Sequence, residues 1–334
     1  MKNILALSVI FFLSVIFSSC SDDNPVTSTV TKEIQWTQAD SISPGYISCI
    51  SVADENTVYY VKDYLTYKSQ NGVTTFVNMG DDSFVPNKII ALSADYIVFS
   101  GYNNTNSVSK IKVLSNGTFT TINNLPEGFI FSDVYVAQQN VIYAARDSNM
   151  YKYDNGTVTT YTISSQYNTN GRTINRLLFT NGKLYAFCYG LSYTSSIYKF
   201  ENNAFQFVMN DNNASQNFFL PNFWLKLTSG YSATNCVYFK EPGWVSVFTG
   251  QNRDYRSITG GGLDFLYTIA RDSSNLPYRG LIWNGTNFVE DYVSPVQNGY
   301  LINYQFTETK GNVFYLIGYK AGYNILYKGK RITG

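Results

Sequence analysis

Histidine is absent from the 334 residues. Its absence excludes Ser-His-Asp hydrolysis, Cys-His proteolysis, histidine-ligated zinc and a charge switch near neutral pH. Charge is scarce as well, at 14% of residues, and it is balanced, with 24 Lys and Arg against 23 Asp and Glu. A neutral chain has no electrostatic footprint for nucleic acid or for an anionic lipid surface, so no nucleic-acid partner is expected. There are four cysteines (Cys20, Cys49, Cys188 and Cys236) and no Cys-x-x-Cys, so neither a metal site nor a cofactor is expected. Cys49, Cys188 and Cys236 each sit inside an apolar run, where a thiol behaves as a small hydrophobe. Long hydrophobic runs are lacking too: Ile4–Phe17 covers 14 residues, against the ~20 needed to span a bilayer.

That one apolar run follows Lys2 and ends in Ser18-Ser19-Cys20. A positive start, a short apolar stretch and small residues make a secretory signal. With a cysteine at the cut site it resembles a bacterial lipoprotein lipobox, although Phe17 stands where Leu is commoner. The resemblance implies a signal peptide over 1–19 and lipidation of Cys20. The mature chain would then have 315 residues and a formal charge of zero. Residues 20–32 are polar, without apolar periodicity, and read as a flexible tether spanning ~20 Å. Within it, Ser21 is not the Asp linked with inner-membrane retention, and the Asp22-Asp23 pair resembles the acidic export tags of Bacteroidetes surface lipoproteins. Asp40-Ser41-Ile42 is similar to the O-glycosylation triplet of their exported proteins, which makes Ser41 a candidate acceptor.

What the chain has in quantity is Tyr (29) and Phe (23), with Val, Ile, Thr and Asn-Gly pairs. Such residues suit the pleated surface of sheets, and the fold class is all-β. One unit recurs, in which an apolar run leads to a Tyr/Phe-bearing run, a tight turn and a Thr/aromatic run. Its turns are Asn71-Gly72, Asn116-Gly117, Asn155-Gly156, Asn202-Asn203, Thr249-Gly250, Asn284-Gly285 and Lys328-Gly329. Both central residues of such a hairpin turn need positive φ, which Asn and Gly tolerate. From Gly72 to Gly329 there are six intervals of about 43 residues, the period of a four-stranded propeller blade.

The second strands are expected at 58–62, 96–100, 141–145, 184–189, 236–240, 265–270 and 313–318. They are nearly continuous apolar runs, as a strand covered on both faces should be. Seven runs predict a seven-bladed β-propeller over 33–334; six blades with one irregular repeat is the alternative, because Gly260-Gly261-Gly262 crowds the sixth unit. The last unit lacks a fourth strand, and Glu33–Gln38 precedes the first unit, so the N-terminal strand is expected to close the last blade. If any cysteines pair, Cys188 and Cys236 are the expected couple, on equivalent strands of successive units. The resemblance is to β-propellers in general: the Trp-Asp pairs of WD40 repeats, the sialidase boxes and a kelch series are all missing, so no activity carries over from those families.

Propeller ligands usually meet the face that joins second to third strands and blade to blade. The candidate ligand-binding residues there are Tyr102, Tyr189, Tyr193, Phe218, Phe219, Trp244, Tyr278, Tyr319 and Tyr323, beside Asn103, Asn104 and Phe129–Phe131. Rings cover sugar faces or apolar peptide side chains, and amides satisfy hydroxyls or backbone groups. The connection 211–223 is the longest; such loops tend to be functional or disordered, and its Phe218, Phe219 and Leu220 either pack over the blade or meet a partner. Basic-acidic pairs end several runs (Lys62-Asp63, Arg146-Asp147, Lys240-Glu241, Arg271-Asp272), where Asp also favours a turn. No catalytic residue is assigned. The expected function is a surface or periplasm-facing outer-membrane lipoprotein, held by the Cys20 lipid, acting as a binding module for an envelope protein or a glycan. A carbohydrate-active hydrolase or lyase, with Arg172, Arg176, Arg253 or Arg256 holding an acidic sugar, is one alternative; a purely structural scaffold is the other.

Overall fold

The computed structural model describes residues 33–81, 83–164, 173–189, 195–211, 216–220, 224–227, 233–272, 276–292, 294–296, 303–320 and 322–332. Among them are 27 strands and no helix, and every strand pairing is antiparallel. β1 (Glu33–Ile42) comes first. Blade one is β2 (Ile47–Asp54), β3 (Thr57–Lys62), β4 (Leu65–Gln70) and β5 (Val73–Phe76). Blade two is β6 (Phe84–Ser93), β7 (Tyr96–Asn103), β8 (Ser109–Ser115) and β9 (Thr118–Thr121). Blade three is β10 (Asp133–Gln138), β11 (Val141–Arg146), β12 (Asn149–Asp154) and β13 (Thr157–Thr162). Blade four is β14 (Thr173–Thr180), β15 (Lys183–Tyr189), β16 (Ser195–Glu201) and β17 (Ala204–Asp211).

Blade five holds β18 (Gln216–Phe219), β19 (Trp224–Leu227), β20 (Ala233–Lys240) and the first half of β21 (Gly243–Gly262). From Asp254 onward the same strand opens blade six, with β22 (Phe265–Arg271), β23 (Arg279–Trp283) and β24 (Phe288–Glu290). Blade seven is β25 (Asn303–Lys310), β26 (Val313–Lys320) and β27 (Tyr323–Ile332), completed by β1. β1 pairs with β27 from Glu33↔Ile332 to Ile42↔Asn324, so the ring has seven blades and is closed by the N-terminal strand. Such closure leaves no seam with an open sheet edge at the chain ends.

The core is divided among the blade interfaces. Seven hydrophobic clusters of described residues each join one neighbouring pair of blades, including the pair across the closure. Successive side chains of a strand point to opposite faces. On β3, Val58 and Tyr60 therefore pack toward blade seven, while Tyr59 and Val61 pack toward blade two. On β26, Val313, Tyr315 and Ile317 meet blade one, and Phe314 and Leu316 meet blade six. The continuous apolar runs follow from this double coverage. The fourth strands β5, β9 and β13 are largely exposed and rich in Thr.

Four expectations need correction. The segment 236–240 lies in the third strand of its blade, β20, because β18 lies within the connection expected to be a loop at 211–223. Thr249-Gly250 is inside β21, and the turn of that blade is Glu241-Pro242. Lys328-Gly329 is inside β27: the fourth strand of that blade arrives from the other end of the chain, so no turn is required. Gly329 is there because the Phe314 ring covers it, and a Cβ would stand 2.5 Å from that ring. Finally, Cys188 and Cys236 lie in different clusters, on a second and a third strand rather than on equivalent ones, and both are buried free thiols, as their apolar runs predict. Burial pushes the Cys236 thiol up to about 12.

The remaining turns formed as read. Asn71-Gly72, Asn116-Gly117 and Asn155-Gly156 have positive φ at both residues, as does Asn202-Asn203. The segment 284–287 turns between β23 and β24, with Asn284 N donating to Asn287 O at 3.1 Å.

Candidate functional site

The antiparallel order gives the ring two faces. First-to-second and third-to-fourth turns lie on one, the hairpin face. Second-to-third turns and the blade-to-blade connections lie on the other, the crossover face. Exposed apolar side chains gather on the crossover face. Phe129 (82%), Tyr292 (77%), Tyr46 (66%) and Tyr64 (66%) are the most exposed aromatics among the described residues, and all four stand there. Ile130, Leu276 and Tyr323 stand there as well.

One cavity, of about 350 Å³, opens on this face between blades one and two. Its apolar floor is Met79, Phe84, Val85 and Pro86, and its rim is Tyr64, Leu65, Phe76 and Tyr102. The β3–β4 turn places Tyr64, through positive φ at Asp63 and Tyr64. Asp63 fastens that turn by accepting from Tyr46 N at 2.8 Å. Asp81 is the one charged residue of the lining, and it is neutralised in place: it accepts from Ser83 Oγ at 2.6 Å and pairs with Lys110 at 3.2 Å and Lys112 at 3.3 Å. The Ser83 hydrogen bond, followed by the two lysines, holds its carboxyl well below the usual carboxylate range. Lys112 also donates to Met79 O at 3.1 Å and lies over the Phe84 ring.

Of the residues expected to bind ligand, Tyr102 lines this cavity. Tyr323, half exposed, and Tyr319, partly buried, mark the crossover end of blade seven. Tyr278 is also at the crossover face but is fastened: its hydroxyl donates to Asp254 Oδ2 at 2.7 Å and accepts from Arg256 Nε, with the Arg271 guanidinium 4.7 Å from the ring. Trp244 belongs to the opposite, hairpin face, because it follows the turn between β20 and β21. There it packs edge-on against Trp224 at 4.8 Å and against Phe239 at 5.7 Å. Tyr189, Phe218 and Phe219 are placed by backbone alone, Phe218 opposite Leu225 and Phe219 opposite Trp224. Tyr193 and Cys20 lie outside the described residues, as do residues 1–32. Ser41 is exposed on β1, between Asp40, which accepts from Ser69 and Thr74, and the buried Ile42.

The arginines considered for an acidic sugar have partners of their own. Arg253 donates to Asp272 at 2.7 Å, Arg256 to the Tyr278 hydroxyl, and Arg176 to Asp133 at 3.3 Å; Arg172 lies outside the described residues. Asp133 is buried and binds three blades together, accepting from Lys88, from Arg176 and from Leu177 N at 2.7 Å. Of the basic-acidic pairs, Lys240-Glu241 is on the hairpin face, where Glu241 accepts from Tyr185 at 2.8 Å and Lys199 at 3.1 Å. Among the described residues, no group of three or more Cys, Asp and Glu side chains is placed to hold a metal ion.

Sequence reasoning missed Tyr64, Leu65, Phe76 and Asn78 in the cavity. The Lys62-Asp63 turn start did signal the position of Tyr64. The approach of β5 to the next blade's first strand is a tertiary event and has no local signature.

No family model and no curated protein matches this chain. Solved structures do. YCF48 bound to D1 peptide aligns with a TM-score of 0.59 at 11% identity, over 88% of this chain and 96% of that one. The extracellular domain of a one-component system from B. thetaiotaomicron aligns at 0.55 and 9%, over 89% of this chain and 40% of that one. An ancestral GH74 enzyme aligns at 0.55 and 15%, over 88% of this chain and 48% of that one. At these identities the likeness is one of fold, and the chain folds as a seven-bladed β-propeller.

Proposed function

We propose that this chain is exported, lipidated at Cys20 and held at the outer membrane, where its crossover face docks an envelope protein without catalysing a reaction. The observation that carries the docking reading is the gathering of Phe129, Tyr292, Tyr46 and Tyr64 on that one face. Exposed aromatics of this kind are costly in water and are enriched at protein interfaces. A propeller of like fold is solved with a peptide bound. The anchoring reading rests on the run from Lys2 to Cys20. β1 starts at Glu33 opposite Ile332, at the hairpin face, the face opposite the one that carries those aromatics.

Crosslinking in intact source cells, followed by capture and mass spectrometry, tests the docking. The expected result is a reproducible envelope partner whose yield falls in a Phe129→Ser/Tyr292→Ser double variant. Capture that the double variant leaves unchanged would sink this reading.

A further inference from the structure

We infer that the cavity between blades one and two is a separate binding site for a neutral hexopyranose unit of a glycan. It sits on the same face as the proposed docking surface and shares Tyr64 with it, but Phe129 and Tyr292 belong to the connections after blades two and six and do not line the cavity, so Phe129→Ser/Tyr292→Ser tests the docking alone and Tyr102→Ala the cavity alone.

A pyranose presents apolar C–H faces and a girdle of hydroxyls that both donate and accept. It is matched by aromatic rings for the faces and by amides and hydroxyls for the rim. This cavity supplies both kinds of group. Tyr64, Phe76 and Tyr102 offer rings, with Tyr64 and Phe76 more than half exposed. Asn78 and Asn104 bring exposed carboxamides; Asn78 Oδ1 accepts from Gly80 N at 2.8 Å, which leaves its amide hydrogens for a ligand.

The further observation is Thr66. It lines the cavity, is 2% exposed, and its hydroxyl is buried with no hydrogen-bond partner. A buried polar group without a partner is costly, and a sugar hydroxyl would satisfy it once the side chains that cover it move aside. No charge is left for an ionic ligand: the Asp81 carboxylate is held by Lys110, Lys112 and Ser83, and neither lysine lines the cavity. A volume of about 350 Å³ lies at the small end of the range of about 300–1,000 Å³ for small-molecule sites. That suits one or two sugar rings.

The test screens the full chain, purified in detergent, against neutral gluco-, manno- and galacto-configured di- and trisaccharides and against uronate oligosaccharides. Any neutral binder is then titrated by calorimetry. Binding of a neutral sugar is expected, weakened about tenfold or more in Tyr64→Ala and in Tyr102→Ala. Thr66→Val, nearly isosteric, removes the partnerless hydroxyl, so it should raise the melting temperature while weakening binding about fivefold. Phe129→Ser/Tyr292→Ser should leave sugar binding unchanged. Binding of uronates alone, of no sugar at all, or of a neutral sugar with unchanged affinity in Tyr64→Ala and Thr66→Val would overturn the inference.

Discussion

At the scale of single residues, the buried charges carry the clearest consequences. Lys226 and Asp211 are both almost fully buried and pair with each other, with the Trp244 ring 4.9 Å from the ammonium. Removing one partner strands the other in a low dielectric. Lys226→Met should therefore cost about 3–5 kcal/mol in denaturant unfolding, and the double variant Lys226→Met/Asp211→Leu should recover most of it. Asp133→Ala strands Lys88, Arg176 and the Leu177 amide, but both cations reach solvent, so about 2–3 kcal/mol is expected. The pH profile follows from the groups present. With no histidine in the sequence, no side chain titrates ordinarily near neutrality, and thermal stability should be flat there. Burial raises Tyr59 and Tyr60 to about 12 and Cys236 to about 12. The unfolded chain loses these protons first, so it binds fewer protons than the folded ring above the ordinary values of 9.0 and 10.0. Stability should fall as pH rises through that window toward 12. Asp81 and Glu241 are lowered by their hydrogen-bond partners, Ser83 and Tyr185 foremost, with lysines adding to the effect. Their contribution is present above the ordinary carboxylate range and is lost in acid. Melting temperatures across the alkaline and acid limbs check both signs.

At the scale of elements, β1 is the closure and Trp36 is its anchor. The Trp36 indole donates to the buried Asp291 at 2.7 Å, and its ring meets Tyr267 at 5.4 Å and Phe314 at 4.9 Å. Trp36→Ala should cost about 3 kcal/mol by lost packing and by leaving Asp291 without this donor, read as a lower denaturant midpoint. Gly329→Ala should also destabilise, since the added methyl meets the Phe314 ring. The elements also show where sequence was readable. The Asn-Gly turns were legible because positive φ is a local demand that few residues meet. β20 was misplaced by one strand because β18 and β19, at four residues each, are too short for an apolar period to register. β21 could not be read as two strands, because nothing local marks its passage from one blade to the next.

At the scale of the whole molecule, the ring puts aromatics from separate blades onto one face and builds a cavity where two blades meet. Cys20→Ser should move the protein from the membrane fraction to the soluble fraction, as fractionation and lipid labelling would read. The double variant at Phe129 and Tyr292 should leave that distribution unchanged. Composition and periodicity by themselves determined the all-β class and the repeat of about 43 residues. They pointed to seven blades, with six left open, and to N-terminal closure; the strand pairing decided both. The class and the repeat follow from local rules: alternation, turn conformation, and strands covered on both sides. Composition also determined the missing chemistry, since a residue that is absent cannot act. Only the tertiary structure decided which face each aromatic occupies. It alone separated Trp244 from Tyr102, tied the arginines to their own partners, and joined Tyr64, Thr66, Phe76 and Asn78 to the next blade. Those placements depend on how blades pack against one another, and contacts between repeats some forty residues apart leave no trace in any local window.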